Sequence, residues 1–204
     1  MWISFYNNKG IGDTLLLTAG NCDRYDAVVT RNGDVTQVVN KENNEVIGYN
    51  IHEVSKYVII DANGHFALTP EQQEVVMNLI KDAGFDVANL DLTPKEALVV
   101  GYVEECVPHE DSDHLNVTQT RVSDDTVLQI VCGAPNVAAG QKVVVATPGT
   151  VMPSGAIIWA GELRGVPSAG MLCSARELGL ENAPQVRGIL VLDDDAVVGT
   201  PFIG

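Results

Sequence analysis

Residues 163–180 read LRGVPSAGMLCSARELGL, and residues 130–141 read IVCGAPNVAAGQ. Small residues dominate both stretches, with one polar or charged side chain every few positions. That composition suits tight loops on a small barrel, loops that offer backbone and a few side chains to a ligand. Neither stretch carries the spacing of catalytic machinery.

Working outward, the segments around these loops are short and apolar or alternating. LVVGYVEECV begins at Leu98, LNVTQTRV at Leu115, TVLQIVC at Thr126, KVVVATPG at Lys142 and AIIWAGEL at Ala156. Turn material at 109–113, 123–125, 133–140 and 148–155 separates them. Five such strands in succession predict a small Greek-key barrel of the OB type, which closes its edges rather than exposing them. SARELGL from Ser174 fits one or two helical turns, and 188–202 a final β segment.

The first half of the chain is patterned differently. Strands are expected over 1–6, 14–19, 46–54 and 56–61, with a turn over 7–13. Residues 27–40 predict a hairpin, its type I′ turn centred on Asn32-Gly33. One helix is expected over 68–84. Thr69 suits its N-cap, Pro70 its first position, and Gln72 completes a capping box. Val75, Val76, Leu79 and Ile80 form its core stripe, and Gly84 stops it. Residues 86–93 are polar and read as a linker. The fold expected is therefore two domains: an α+β domain over 1–93, a small sheet plus one helix, and an all-β OB-fold barrel over 94–204.

Composition narrows the function. The net charge is −15. Residues 1–93 hold 6 basic and 13 acidic residues, and residues 94–204 hold 6 and 14. Phosphate contacts by Lys and Arg supply most nucleic-acid affinity, so any RNA binding must be local and weak. The four cysteines, at 22, 106, 132 and 173, form no C-x-x-C pair and read as reduced, buried thiols. No apolar run is long enough to span a membrane, and MWISFYNNKG is not a signal peptide. A cytoplasmic protein is expected.

Each candidate constellation has a bland reading beside it. HEDSDHL at 109–115 gathers two imidazoles and three carboxylates. It offers a divalent cation ligands, but it reads first as a solvated loop. GAPNVAAGQK at 133–142 fails the phosphate-loop pattern, with its glycines too far apart. Asn136 in that loop suits a base edge, because it both donates and accepts. Arg164 suits a phosphate or a stacked base, Ser168 a hydrogen bond, and Met171 an adaptable apolar contact. Trp159 is either a stacking platform or a partly buried barrel residue. Arg176 adds a second cation near Arg164. Cys173 lies in no nucleophile motif, so no catalytic residue, metal or cofactor is assigned.

Residues 98–204 resemble the tRNA-binding domain of the bacterial phenylalanyl-tRNA synthetase beta chain. The resemblance is carried by VVGYVEECVPHEDSDHL, LQIVCGAPNVAAGQKV, LRGVPSAGMLCSARELGL and RGILVLDDDAVVGTPF. The two-domain plan is similar to a free-standing bacterial group of YtpR-like tRNA-binding proteins. The resemblance implies an OB-fold that recognises tRNA by shape, with Asn136, Arg164, Ser168 and Met171 on the family's loop motifs. Glu110 and His114 stand where the family usually has proline and lysine. AIIWAGE, with Trp159 and Glu162, replaces a commonly lysine-rich strand. The function expected is non-catalytic binding of tRNA or structured RNA, with no cofactor. The second reading is a protein-interaction or homodimerisation module that has lost most of its basic surface.

Overall fold

The computed structural model describes residues 1–95 and 97–203. The chain divides into two compact units, Met1–Lys95 and Glu96–Gly204.

The first unit is sheet-rich. Its strands are β1 (Ile3–Tyr6), β2 (Thr14–Thr18), β3 (Ala27–Asn32), β4 (Val35–Asn40), β5 (Val46–His52) and β6 (Gly64–Phe66). They form one antiparallel sheet in the order β3-β4-β5-β2-β1-β6. Alternation puts Leu15, Leu17, Tyr49 and Ile51 on one face, where they are fully buried with Val76 and Ile80 of the helix α2 (Pro70–Asp82). The capping box at Thr69 and Gln72 is formed in both directions. At the other end the Phe85 N–H donates to the Ile80 carbonyl and the Gly84 N–H to that of Lys81, a Schellman ending.

Four local expectations need correction. Residues 7–13 hold a one-turn helix, α1 (Asn8–Ile11), capped by the Asn7 side chain. The hairpin turn sits one residue later than expected. Asn32 pairs with Val35, so Gly33 and Asp34 are central, and only Gly33 has a positive φ, 58°. That is the pattern of a type II′ turn rather than type I′. Residues 56–61 form no strand: a 3-10 turn over Val54–Lys56 precedes irregular backbone, while β6 was not foreseen. Finally, 86–93 is not a free linker. Leu90 and Leu92 are buried in the first unit's core, the Tyr49 hydroxyl donates to the Asp86 carbonyl, and Trp2 Nε1 donates to that of Asn89.

The second unit is all β apart from turns. Its strands are β7 (Leu98–Pro108), β8 (Asn116–Ser123), β9 (Thr126–Cys132), β10 (Lys142–Ala146), β11 (Ala160–Leu163), β12 (Val166–Ala169), β13 (Met171–Leu172) and β14 (Val191–Leu192). The main sheet runs β13-β10-β7-β8-β9, with β14 also on β10, and β11 and β12 form a separate hairpin. The long β7 pairs with β10 along its first half and with β8 along its second. The register slips between Val103 and Glu105, and such a bulge bends and coils a strand. The sheet curls until β9 lies beside β12. There Gln129 Nε2 donates to the Pro167 carbonyl at 2.8 Å, and the Val131 N–H donates to Ser168 Oγ at 3.1 Å.

β10 has an apolar run because both its faces are covered. Val143 and Val145 pack with Val103 and Ile130, while Val144 and Ala146 pack with Met152, Cys173 and Leu178. AIIWAGEL is only half strand. β11 begins at Ala160, which leaves Trp159 just outside it and half-buried.

Candidate nucleic-acid interface

The β11–β12 hairpin turns on Arg164 and Gly165, both with positive φ, 50° and 78°. That is the pattern of a type I′ turn, with an arginine in a conformation that asparagine or glycine usually takes. The loop 109–115 holds it there. Arg164 Nη1 donates to the Asp111 carbonyl at 2.7 Å. His109 is buried and grips both sides: its Nδ1 accepts from the Asp111 N–H at 3.0 Å, and its Nε2 faces the Leu163 carbonyl at 3.2 Å. A carbonyl only accepts, so Nε2 carries the proton. Both ring nitrogens are spent inside the fold and neither is left for a cation. HEDSDHL is therefore a clamp on the hairpin, a role its composition did not suggest.

Asn136 and Ser168 also turn inward. Asn136 Nδ2 donates to the Ile189 carbonyl at 3.0 Å, and the Ile189 N–H donates to Asn136 Oδ1 at 2.9 Å. This two-point clasp fixes the 133–140 loop against the chain entering β14. Ser168 accepts from Val131 where β9 meets β12.

A cleft of about 270 Å³ opens beside these two joints, between the end of β9, the segment 171–177 and residues 186–189. Met171, Ser174, Arg176, Glu177, Val186 and Arg187 line it. SARELGL forms one capped turn at its rim: the Glu177 N–H donates to Ser174 Oγ, and the Ser174 N–H and hydroxyl donate to Glu177 Oε2. The structure thus brings Met171 and Arg176 to one cleft and adds Arg187 and Val186, which the sequence reading missed. Arg187 stands at the head of RGILVL, quoted for the resemblance, and a second exposed arginine was the available signal. Arg164 lies at the hairpin tip and does not line the cleft.

Three of the unit's cations are already engaged. Arg121 Nε donates to Glu104 Oε1 at 2.8 Å, Lys142 Nζ to the Asp194 carbonyl at 2.5 Å, and Arg164 to Asp111. Arg187 makes one long bond, 3.3 Å, to the Gly133 carbonyl. Arg176 is exposed, and its side chain has no hydrogen bond or ion pair among the described residues. Cys173, fully buried beneath the same segment, is pushed up to about 12 by burial. It is a packed thiol at neutral pH, not a thiolate nucleophile.

A curled antiparallel sheet whose loops are tied to its own backbone, with two under-used guanidiniums at one cleft, defines a binding module. Its family is given by comparison with known proteins. A family model described as "Putative tRNA binding domain" matches residues 98–201, and a "Domain of unknown function (DUF4479)" matches residues 22–91. The chain is 47% identical over 200 residues to "Putative tRNA-binding protein YtpR" of Bacillus subtilis strain 168, covering 98% of each chain. It is 46% identical over 155 residues to the phenylalanine–tRNA ligase beta subunit of Oceanobacillus iheyensis, covering 72% of this chain and 18% of that one. A solved MetRS-related protein from Pyrococcus horikoshii matches 52% of this chain and 89% of its own, with 16% identity and a TM-score of 0.39. The chain belongs to the tRNA-binding-domain family and is YtpR-like along its length.

Proposed function

We propose that the protein binds tRNA, or a similarly folded RNA, through residues 94–204 and does no chemistry on it. The observation that carries this reading is a coincidence of place. The match to a tRNA-binding domain over 98–201 falls on the unit whose two least-engaged arginines, Arg176 and Arg187, meet at one cleft. The unit is an OB-type barrel in this reading, with β7, β8, β9, β10 and the bent pair β12–β13 as its five strands. Arg176 and Met171 face the ligand. Arg164 and Trp159 extend the surface along the β11–β12 hairpin, while Asn136 and Ser168 shape it through their backbone partners. The protein works in the cytoplasm, where tRNA is. No helix of the described residues is long and apolar enough to cross a membrane.

Bulk tRNA titrated by mobility shift across a salt series tests this. Two or three phosphate contacts give a log–log salt slope of about −2 to −3. With a net charge of −15 the affinity falls in the micromolar range or weaker. Nanomolar binding at physiological salt would refute the electrostatics, and no binding at low salt would refute the function.

A further inference from the structure

We infer that the cleft beside Met171 takes one unpaired nucleotide, its phosphate between Arg176 and Arg187 and its base against Met171 and Val186. This rests on the RNA-binding reading above and narrows it from folded RNA to a single-stranded element of it, such as a free end or an unstacked loop base.

Size is the first reason. The cleft holds about 270 Å³, just below the roughly 300 Å³ where ordinary ligand pockets begin. That is room for about one nucleotide and not for a run of them. Charge is the second. A duplex presents a dense line of phosphates, in B-DNA one per strand for about every 3.4 Å of helix axis, so gripping it needs a track of cations. Three of the unit's cations are tied to its own groups, at Glu104, Asp194 and Asp111, which leaves two arginines, both lining this cleft. Glu177 also lines the cleft, with one carboxylate oxygen taken up by the Ser174 N–H and hydroxyl. The third reason is the wall. Val186 is 74% exposed at the rim, and Met171 is half-buried behind it. An apolar, adaptable surface beside a cation pair suits a π-face joined to an anion. Gly133 and Gly188 also line the cleft, and at Gly188 a side chain would collide with Asn136.

Fluorescence anisotropy on the full chain tests this with three probes: a labelled single-stranded RNA tetranucleotide, a short RNA duplex and whole tRNA. The tetranucleotide is expected to bind with a log–log salt slope of about −1 to −2, and the duplex to bind more weakly. Arg176→Ala/Arg187→Ala should weaken tetranucleotide binding about tenfold or more. Lys9→Ala/Arg24→Ala, the same loss of charge in the first unit, should change it by less than about twofold. Both cleft arginines are exposed, so the thermal midpoint should hold and separate lost contacts from lost fold. Duplex binding as tight as single-strand binding would overturn the inference. So would a cleft variant that keeps its tetranucleotide affinity. If tRNA binds and the tetranucleotide does not, the cleft assignment fails while RNA binding stands. If no RNA binds, both fail.

Discussion

Asn136 shows how far a residue's chemistry reveals its role, and where it stops. An amide that donates and accepts suits a base edge, but it suits a peptide group equally well, and Ile189 supplies one. The closeness of residues 136 and 189 comes from the fold and cannot be read from either loop alone. The expected outcome is that Asn136→Ala costs about 1–3 kcal/mol of stability, because both backbone groups of Ile189 lose their partner in a part-buried place. Denaturant unfolding of the full chain in a Trp2→Phe background, followed by Trp159 fluorescence, measures it. Arg176→Ala in the same experiment should stay within about 0.5 kcal/mol, since its side chain is exposed and unpartnered. Equal stabilities for the two variants would mean that the Asn136 clasp contributes nothing. His109 teaches the same lesson. Two histidines among three carboxylates read as a solvated loop, yet burial of His109 and its two backbone partners make it a clamp.

At the scale of elements, what was legible was local. The boundaries of α2 are written in Thr69, Pro70, Gln72 and Gly84, because a capping box and a Schellman ending are satisfied within a few residues. β7 to β10 are written in their apolar spacing. The misses are elements fixed by distant partners. β6 is three residues long and exists because β1 pairs with it. Residues 56–61 hold an apolar run long enough for a short strand, but no strand among the described residues pairs with them. The strand pair β12–β13 was visible only as a glycine-rich loop, though it joins β9 on one side to β10 on the other. Gly170 is its hinge, with φ at 129° and an added Cβ 2.7 Å from the Ala146 carbonyl oxygen. That contact is with backbone, which cannot yield as a side chain does. Gly170→Ala is therefore expected to cost about 3 kcal/mol or more, combining an unfavourable φ with overpacking. Loss of the soluble fold or a large drop in unfolding midpoint bears this out, and a midpoint within a degree or two of wild type contradicts it.

For the whole molecule the governing quantity is the net charge of −15, and it acts against a second, local set of charges. Spread over the surface, negative charge repels itself, so lowering the pH toward the pI of about 4.4 relieves the folded state. Several groups of the first unit work the other way: His65 is held low by burial as His52 is, Glu71 and Asp91 lie low as Asp13 does, and His52 and Asp13 are the pair with the most contacts to test. Burial, then the nearby Arg31 charge, hold the His52 imidazole below its ordinary 6.5, partly offset by Asp34. Asp13 lies below its ordinary 3.8, chiefly because the Ser55 hydroxyl donates to it, with Tyr6 and the Ser55 N–H helping against the cost of burial. In both cases the unfolded chain takes up its proton first as pH falls. The stability they give is therefore complete above the ordinary value and drains away on acidification, from about 6.5 downward for His52 and from about 3.8 downward for Asp13. Salt separates the two effects, because at physiological ionic strength the Debye length is about 8 Å and distributed repulsion is largely screened. A Trp159→Phe background leaves Trp2, stacked on Tyr49 in the first unit's core, as the fluorescent reporter. In that background at moderate salt, the first unit's thermal midpoint should fall from pH 7.5 to pH 5, and His52→Gln should flatten the fall. Below pH 4 a second decline should set in, and Asp13→Asn should flatten that one. A midpoint that tracks the His52→Gln variant at every pH would show that the half-buried imidazole does not govern the upper limb, and a midpoint that rises through this range would show that the distributed charge does.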